Sequence, residues 1–309
     1  MAKRIFNAMG YRPASAGGTN MPLDAGFAGC EYMQTFNRNY YATDITGKPL
    51  WWKQPDWNGT VDAAISKIDP NQHVYFDLES WFCTTDTGPD DVIQEKLFAA
   101  ILLARFRRKF PAFNKVFGTY GYPKQDVNPL NPAAQTDAWK LRVADQMNGG
   151  EISNLVNNSI TALFPSLYPS EYMGTDLMTD SLSAQFKNNQ IVIDTVRANN
   201  PKNLPIYAFF SPRMRLRKDG LYHFMPYKLV LAQANWIMNN CDGIVLWDWD
   251  GYGDPDASPA TSVVTWDTAV KMPWYAALKD CFSVSEVAPA YSNLMTNIIN
   301  KSPAAFLSA

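Results

Sequence analysis

Histidine is scarce in this chain. His73 and His223 are the only two among 309 residues, which leaves little from which to build an imidazole-rich metal site. They also lend only slender support to a Ser-His-Asp triad, although one histidine would suffice for that. The four cysteines, Cys30, Cys83, Cys241 and Cys281, show no CxxC spacing, so neither a zinc ribbon nor a thioredoxin motif is present. Two disulfides or four buried free thiols both remain open. The formal net charge is only −2, too small to hold nucleic acid or an anionic membrane by bulk electrostatics. No apolar run approaches the roughly 18 residues of a membrane-spanning helix. Met1-Ala2-Lys3-Arg4-Ile5 begins basic, but the apolar stretch behind it is too short for a signal peptide. The expectation is a soluble chain that reaches any extracellular target by another route, on a virion or by lysis. The first strand is followed by Tyr11-Arg12-Pro13, with neither GxGxxG nor GxxxxGK[ST], and no nucleotide or other cofactor is expected. Repeats and low-complexity segments are also missing.

Aromatic residues, by contrast, are plentiful. They make up 14% of the chain, with 10 Trp, in a composition that is 47% hydrophobic and 18% charged. That is globular. A large core and a sugar-binding cleft lined by flat rings would both account for the rings. Short apolar strands are predicted at Ile5–Met9, Cys30–Phe36, Val74–Glu79, Lys115–Gly121, Thr161–Tyr168, Pro205–Ser211 and Gly243–Asp250. Helices are predicted at Thr60–Ile68, Thr87–Lys109, Thr136–Met147, Ser181–Asn199, Pro226–Asn239 and Trp274–Phe282. Asn37–Gly59 is a long loop rich in Tyr and Trp. Strands alternating with helices argue for an α/β fold with a parallel sheet. Lacking a phosphate loop, the better fit is a single distorted (β/α) TIM-like barrel with about seven parallel strands. It would fill residues 1–283 as one catalytic domain, with 284–309 as a tail carrying at most a short packing helix.

One strand stands apart. His73-Val74-Tyr75-Phe76-Asp77-Leu78-Glu79-Ser80-Trp81 is bulky and apolar, yet ends in two carboxylates two positions apart. Strand side chains alternate, so Tyr75, Asp77 and Glu79 share one face and Val74, Phe76 and Leu78 the other. In a barrel the active site lies at the C-terminal strand ends. There Asp77/Glu79, Tyr120, Tyr168 and Trp247/Trp249 would converge. Two acids and several rings fit glycoside hydrolysis. Acids at i and i+2, however, stand on one side of a site and cannot attack opposite faces of a sugar ring. They suit substrate-assisted retention, in which the substrate's 2-acetamido oxygen is the nucleophile and one acid protonates the leaving oxygen. Two close acids also raise the proton affinity of one of them.

These segments resemble the hyaluronidases, glycoside hydrolase family 56. Phe76-Asp77-Leu78-Glu79-Ser80-Trp81 is similar to their catalytic strand. Phe117-Gly118-Thr119-Tyr120-Gly121-Tyr122-Pro123, Ala162-Leu163-Phe164-Pro165-Ser166-Leu167-Tyr168 and Gly243-Ile244-Val245-Leu246-Trp247 follow in the family's order, with a fainter echo at Phe6-Asn7. The resemblance implies a distorted barrel and an endo-acting site for an N-acetylhexosamine-containing polysaccharide. It implies that Glu79 donates the proton, Asp77 positions the acetamido group, Tyr120 and Tyr168 hydrogen-bond around it, and Trp247 walls the pocket. Trp249, Tyr122, Trp81 and Tyr75 join Trp247 as expected substrate contacts.

The chain also departs from the family. Lys124 and Gln125 follow Pro123 where the secreted animal enzymes carry a cysteine, and their paired cysteines are not evident. Ser211 stands at a basic position, with Arg213 displaced. Asp248-Trp249-Asp250 is acidic enough to repel an anionic polymer unless those acids point away or bind a cation. The missing signal and disulfide framework suggest a phage or bacterial depolymerase. A lysozyme-like muramidase, and a non-catalytic carbohydrate-binding or virion structural protein, are the alternatives.

Overall fold

The computed structural model describes residues 2–14, 18–37, 62–63, 65–77, 100–123, 140–141, 143–144, 147–168, 178–215, 221–257, 259–261 and 263–283. Among these, eight strands form in chain order: β1 (Arg4–Asn7), β2 (Cys30–Asn37), β3 (His73–Asp77), β4 (Phe117–Thr119), β5 (Tyr207–Phe210), β6 (Arg213–Arg215), β7 (Tyr222–Phe224) and β8 (Gly243–Leu246). Six of them run parallel in one sheet, ordered β4-β3-β2-β1-β8-β5. β6 and β7 form a separate antiparallel hairpin.

The two edges of that sheet, β4 and β5, are joined by the segment 161–168. Parallel bridges link Tyr120 to Phe164, Leu163 to Ile206 and Ser166 to Phe209. On the β5 side the ladder reads Leu163 N–H to Pro205 O, Tyr207 N–H to Leu163 O, Phe209 N–H to Pro165 O and Leu167 N–H to Phe209 O. It lacks one rung because Pro165 has no N–H to give. The segment is therefore a seventh, interrupted strand that closes the ring, and the fold is a distorted (β/α) barrel.

Strand alternation sorts the side chains into two cores. Phe6, Met33, Tyr75, Tyr120, Phe164, Tyr207, Phe209 and Val245 fill the barrel. Ile5, Phe36, Val74, Phe76, Phe117, Leu163, Ala208, Ile244 and Leu246 face outward into the layer beneath the helices. The face assignment along β3 thus holds through Asp77. In the outer layer Phe106 stacks on Phe117 with centroids 4.2 Å apart, and Phe76 meets both edge-on.

The helical layer is α1 (Glu151–Ser159), α2 (Met178–Ala198), α3 (Tyr227–Asn240), α4 (Trp266–Ala269) and α5 (Pro273–Ser283), with a further helical stretch at 100–109. α1, the short α4 and the β6–β7 hairpin are not among the elements the sequence predicts. In α1 the apolar spacing of Ile152, Leu155 and Val156 does not mark the buried face, which includes Ser153, Asn157 and Ser159 while Leu155 faces solvent. The β6–β7 hairpin hides because its strands are three residues each. The aromatic loop expected at 37–59 lies, beyond Asn37, outside the described residues, as does the tail 284–309. Cys30, Cys241 and Cys281 are buried free thiols, each pushed up to about 12 chiefly by burial; Cys83 is outside the described set.

The N-terminal end of the barrel is closed by a polar cluster. Arg4 donates to Glu31 through Nε and Nη2 at 3.0 and 2.7 Å, and His73 Nε2 lies 2.9 Å from Glu31 Oε2. His73 Nδ1 accepts the Val116 N–H at 2.9 Å. That fixes the neutral tautomer, with the proton on Nε2 donated to Glu31. Burial holds the imidazole below its usual pKa. For Glu31, burial alone would raise the carboxyl, but hydrogen bonds from Arg4 and His73 outweigh it and hold the group low.

Candidate active site

The opposite end of the barrel is aromatic among the described residues. Tyr120, at the end of β4, donates through its hydroxyl to Ser166 Oγ at 3.1 Å. Its ring lies 5.8 Å from Tyr168. Tyr168 in turn stacks on Trp247, just past β8, at 5.6 Å and 28°. Tyr168 and Trp247 are half-buried and cap the barrel cluster from above.

Beneath them is Tyr75, 1% exposed. Its hydroxyl oxygen accepts a 2.7 Å bond from Thr35 Oγ1 on β2 and a bond from the Trp247 side chain. Burial first, and then the neighbouring Asp77 carboxylate, push this phenol far above its ordinary value, so it stays protonated and neutral. Asp77 ends β3, half-buried. A carboxylate, three hydroxyls and an indole therefore converge at one mouth: Asp77, Tyr120, Tyr168, Tyr75 and Trp247. Tyr75, expected as a substrate contact, lies within the barrel and holds Trp247 from below.

Tyr122 is also placed otherwise than expected. Gly121 takes φ 67°, a turn conformation that suits glycine, and this breaks the alternation two residues after Tyr120. Tyr122 is thereby turned into the outer core, 2% exposed, with its hydroxyl donating to Asn157 Oδ1 at 3.0 Å. It is separated from the ring cluster at the mouth. Glu79 and Trp81 lie outside the described residues.

The two acids flanking Trp249 are both compensated. Asp248 is 1% exposed. It accepts from Arg213 Nε at 2.6 and 2.9 Å and from the Tyr11 hydroxyl. Burial raises its carboxyl pKa against the opposing pull of Arg213, so the pair is held at a desolvation cost. Asp250 is fully buried and bonded by Arg12 through Nε, Nη2 and the backbone N–H. The repulsion expected of Asp248 and Asp250 is thus removed by two arginines. Arg213, itself 2% exposed and lying 3.8 Å over the Phe224 ring, is committed to this cluster and not to a substrate carboxylate.

Sequence reasoning missed Thr35, Ser166, Tyr222 and Tyr252. Thr35 and Ser166 had a usable signal, since each lies on the inward parity of its strand near the mouth. No group of three His, Cys, Asp or Glu among the described residues could hold a metal ion. No described helix is long and apolar enough to cross a membrane.

No family model matches the chain, and neither does any curated protein. Among solved structures it is similar to bee venom hyaluronidase in complex with a hyaluronic acid tetramer, at 15% identity and TM-score 0.44, covering 70% of this chain and 78% of that one. It is also similar to a Bacteroidetes-affiliated GH5 cellulase, at 12% identity and TM-score 0.43, covering 98% and 96%. A GH5-4 broad-specificity endoglucanase from Clostridium acetobutylicum matches at 11% identity and TM-score 0.39, covering 92% and 97%. No property of this chain follows from likenesses this distant.

Proposed function

We propose that the chain is a glycoside hydrolase that cleaves internal bonds in an N-acetylhexosamine-containing polysaccharide by a retaining, substrate-assisted mechanism, as in the hyaluronidases. The observation that carries the reading is the convergence of Asp77, Tyr120, Tyr168 and Trp247 at the C-terminal mouth of a barrel. Glu79 follows Asp77 by two residues.

In this reading the substrate's acetamido carbonyl oxygen attacks the anomeric carbon. The glycosidic C–O bond breaks, and Glu79 gives its proton to the leaving oxygen. Asp77 accepts the acetamido N–H and steadies the positive charge of the cyclic intermediate. Glu79, now a carboxylate, then takes a proton from the water that opens that intermediate, which restores the acetamide and retains the configuration. Tyr120 and Tyr168 hydrogen-bond around the acetamido group and the transition state, and Trp247 covers the methyl. The half-buried mouth strengthens these hydrogen bonds relative to water. Action outside a cell, as a phage or bacterial depolymerase, belongs to the same proposal.

The test is wild type beside Glu79→Gln on hyaluronan, chondroitin and bacterial capsules, read by product mass. The expected result is even-numbered oligosaccharides from wild type and a loss of at least about 100-fold in the variant. Equal release of reducing ends by both proteins on every polymer rejects the enzyme reading. Clearing of purified peptidoglycan alone would favour a muramidase.

A further inference from the structure

The row of rings does not stop at the pocket. Trp247 meets Tyr252 at 5.8 Å, Tyr252 meets Trp249 edge-on at 5.5 Å, and Tyr222 lies 4.4 Å from Tyr252 at 31°. Two of these rings face solvent, Trp249 at 50% and Tyr222 at 36% exposed, while Tyr252 is half-buried. Contiguous exposed rings on a soluble fold call for a ligand.

The surroundings hold these rings in place. Trp249 lies against Gly251, where a Cβ would come within 2.6 Å of the indole. Tyr222 belongs to β7, and the hairpin is anchored by buried Arg213, whose Nη1 reaches the Tyr222 carbonyl at 3.4 Å and also the Gly253 carbonyl. The acids on either side of Trp249 are taken up by Arg213 and Arg12, so neither confronts an arriving ligand as a bare charge. Rings fixed before binding lose little entropy when covered.

We infer that Trp249 and Tyr222, joined through Tyr252, form an accessory saccharide-binding platform, on which pyranose rings of the polysaccharide lie by their apolar faces as the chain leaves the pocket. The inference rests on reading the pocket as a sugar site, because the platform is its continuation through Trp247. It adds a subsite several ångströms outside the cleavage point and explains why a barrel enzyme would carry the β6–β7 hairpin. Covering one ring face removes enough apolar surface for about a tenfold change in affinity.

Affinity electrophoresis of the full chain through gels containing hyaluronan, unsulfated chondroitin or chitin oligosaccharides tests this. Competition by a tetrasaccharide of each serves as the short probe. The proteins are wild type, Tyr222→Ala, Trp249→Ala, Trp249→Phe and Gly251→Ala, the last adding a methyl under the Trp249 ring. For the polymer that retards wild type, Tyr222→Ala and Gly251→Ala are expected to weaken binding about tenfold. The short probe should lose several-fold less, and Trp249→Phe should bind better than Trp249→Ala. Equal losses on polymer and tetrasaccharide, no loss in any variant, or no retardation of wild type by any probe would overturn the platform. Retardation that depends on these rings, combined with equal product release by wild type and Glu79→Gln, would keep the platform and reject the catalytic reading.

Discussion

Replacing Asp248 by Asn tests whether the hairpin and the mouth depend on one buried ion pair. Asp248 and Arg213 are 1% and 2% exposed. Removing the carboxylate charge leaves the guanidinium buried, with weaker bonds from Nε, two carbonyl contacts from Nη1 and an Nη2 that already has no protein partner. Breaking a buried pair on one side costs about 3–5 kcal/mol. Asn keeps the shape and one acceptor oxygen, and Tyr11 can still donate to it, so the lower end, about 3 kcal/mol, applies. For a chain of this size that is a fall in Tm of about 5 °C, or about a hundredfold in the unfolding equilibrium. Thermal and urea unfolding, read as a shift of midpoint at constant slope, measure it. The double variant Asp248→Leu/Arg213→Met removes both charges and is expected to recover most of the loss, because the pair is held against a desolvation cost. Asp248→Asn within about 0.5 kcal/mol of wild type, or a double variant less stable than the sum of its singles, would refute the reasoning.

Three further outcomes are expected. His73 is neutral in the fold and its pKa is lowered, while the unfolded histidine titrates near 6.5. The unfolded chain therefore binds the extra proton first, so this contribution is complete above about pH 6.5 and is lost as the pH falls from there toward the folded value. Glu31, also lowered, extends the fall to more acid pH, and His73→Gln should flatten the upper part of a curve of Cm against pH. Tyr122→Phe leaves Asn157 Oδ1 buried without its donor and should cost about 1–2 kcal/mol in urea unfolding, with turnover on any substrate found staying at the wild-type level. Tyr75→Phe takes away the acceptor of both Thr35 and Trp247. It should reduce kcat about tenfold by letting the pocket wall shift, and a kcat equal to wild type would show that Trp247 is held by packing alone.

Much of the barrel was legible in the chain because period and position carry it. The alternation of Val74, Tyr75 and Phe76 sorts them between the two cores as expected. The segment Thr161–Tyr168 read as a strand from its apolar residues, and it closes the ring although Pro165 interrupts its ladder. Tyr120, Tyr168 and Trp247 were found together from one rule, that strand ends in a barrel meet. Tyr122, expected as a substrate contact, lies in the outer core instead. Tyr122 shares the parity of Tyr120 but follows Gly121, whose positive φ turns the chain. Nothing in a one-dimensional pattern specifies a backbone dihedral at a residue that tolerates many.

The sequence by itself determined the alternation of elements, the inward face of β3 and the chemistry on offer: paired acids and rings, with few imidazoles and no phosphate loop. Those follow from local periodicity and from which side chains exist. Only the tertiary structure decided which of those groups meet solvent and which neutralise one another. Asp248 and Arg213 stand 35 residues apart, and Asp250 and Arg12 stand 238 apart. Pairings at such distances are set by how the strands and hairpin pack, so the same acidic run that read as a repulsive wall is, once folded, the buried anchor of the aromatic rim.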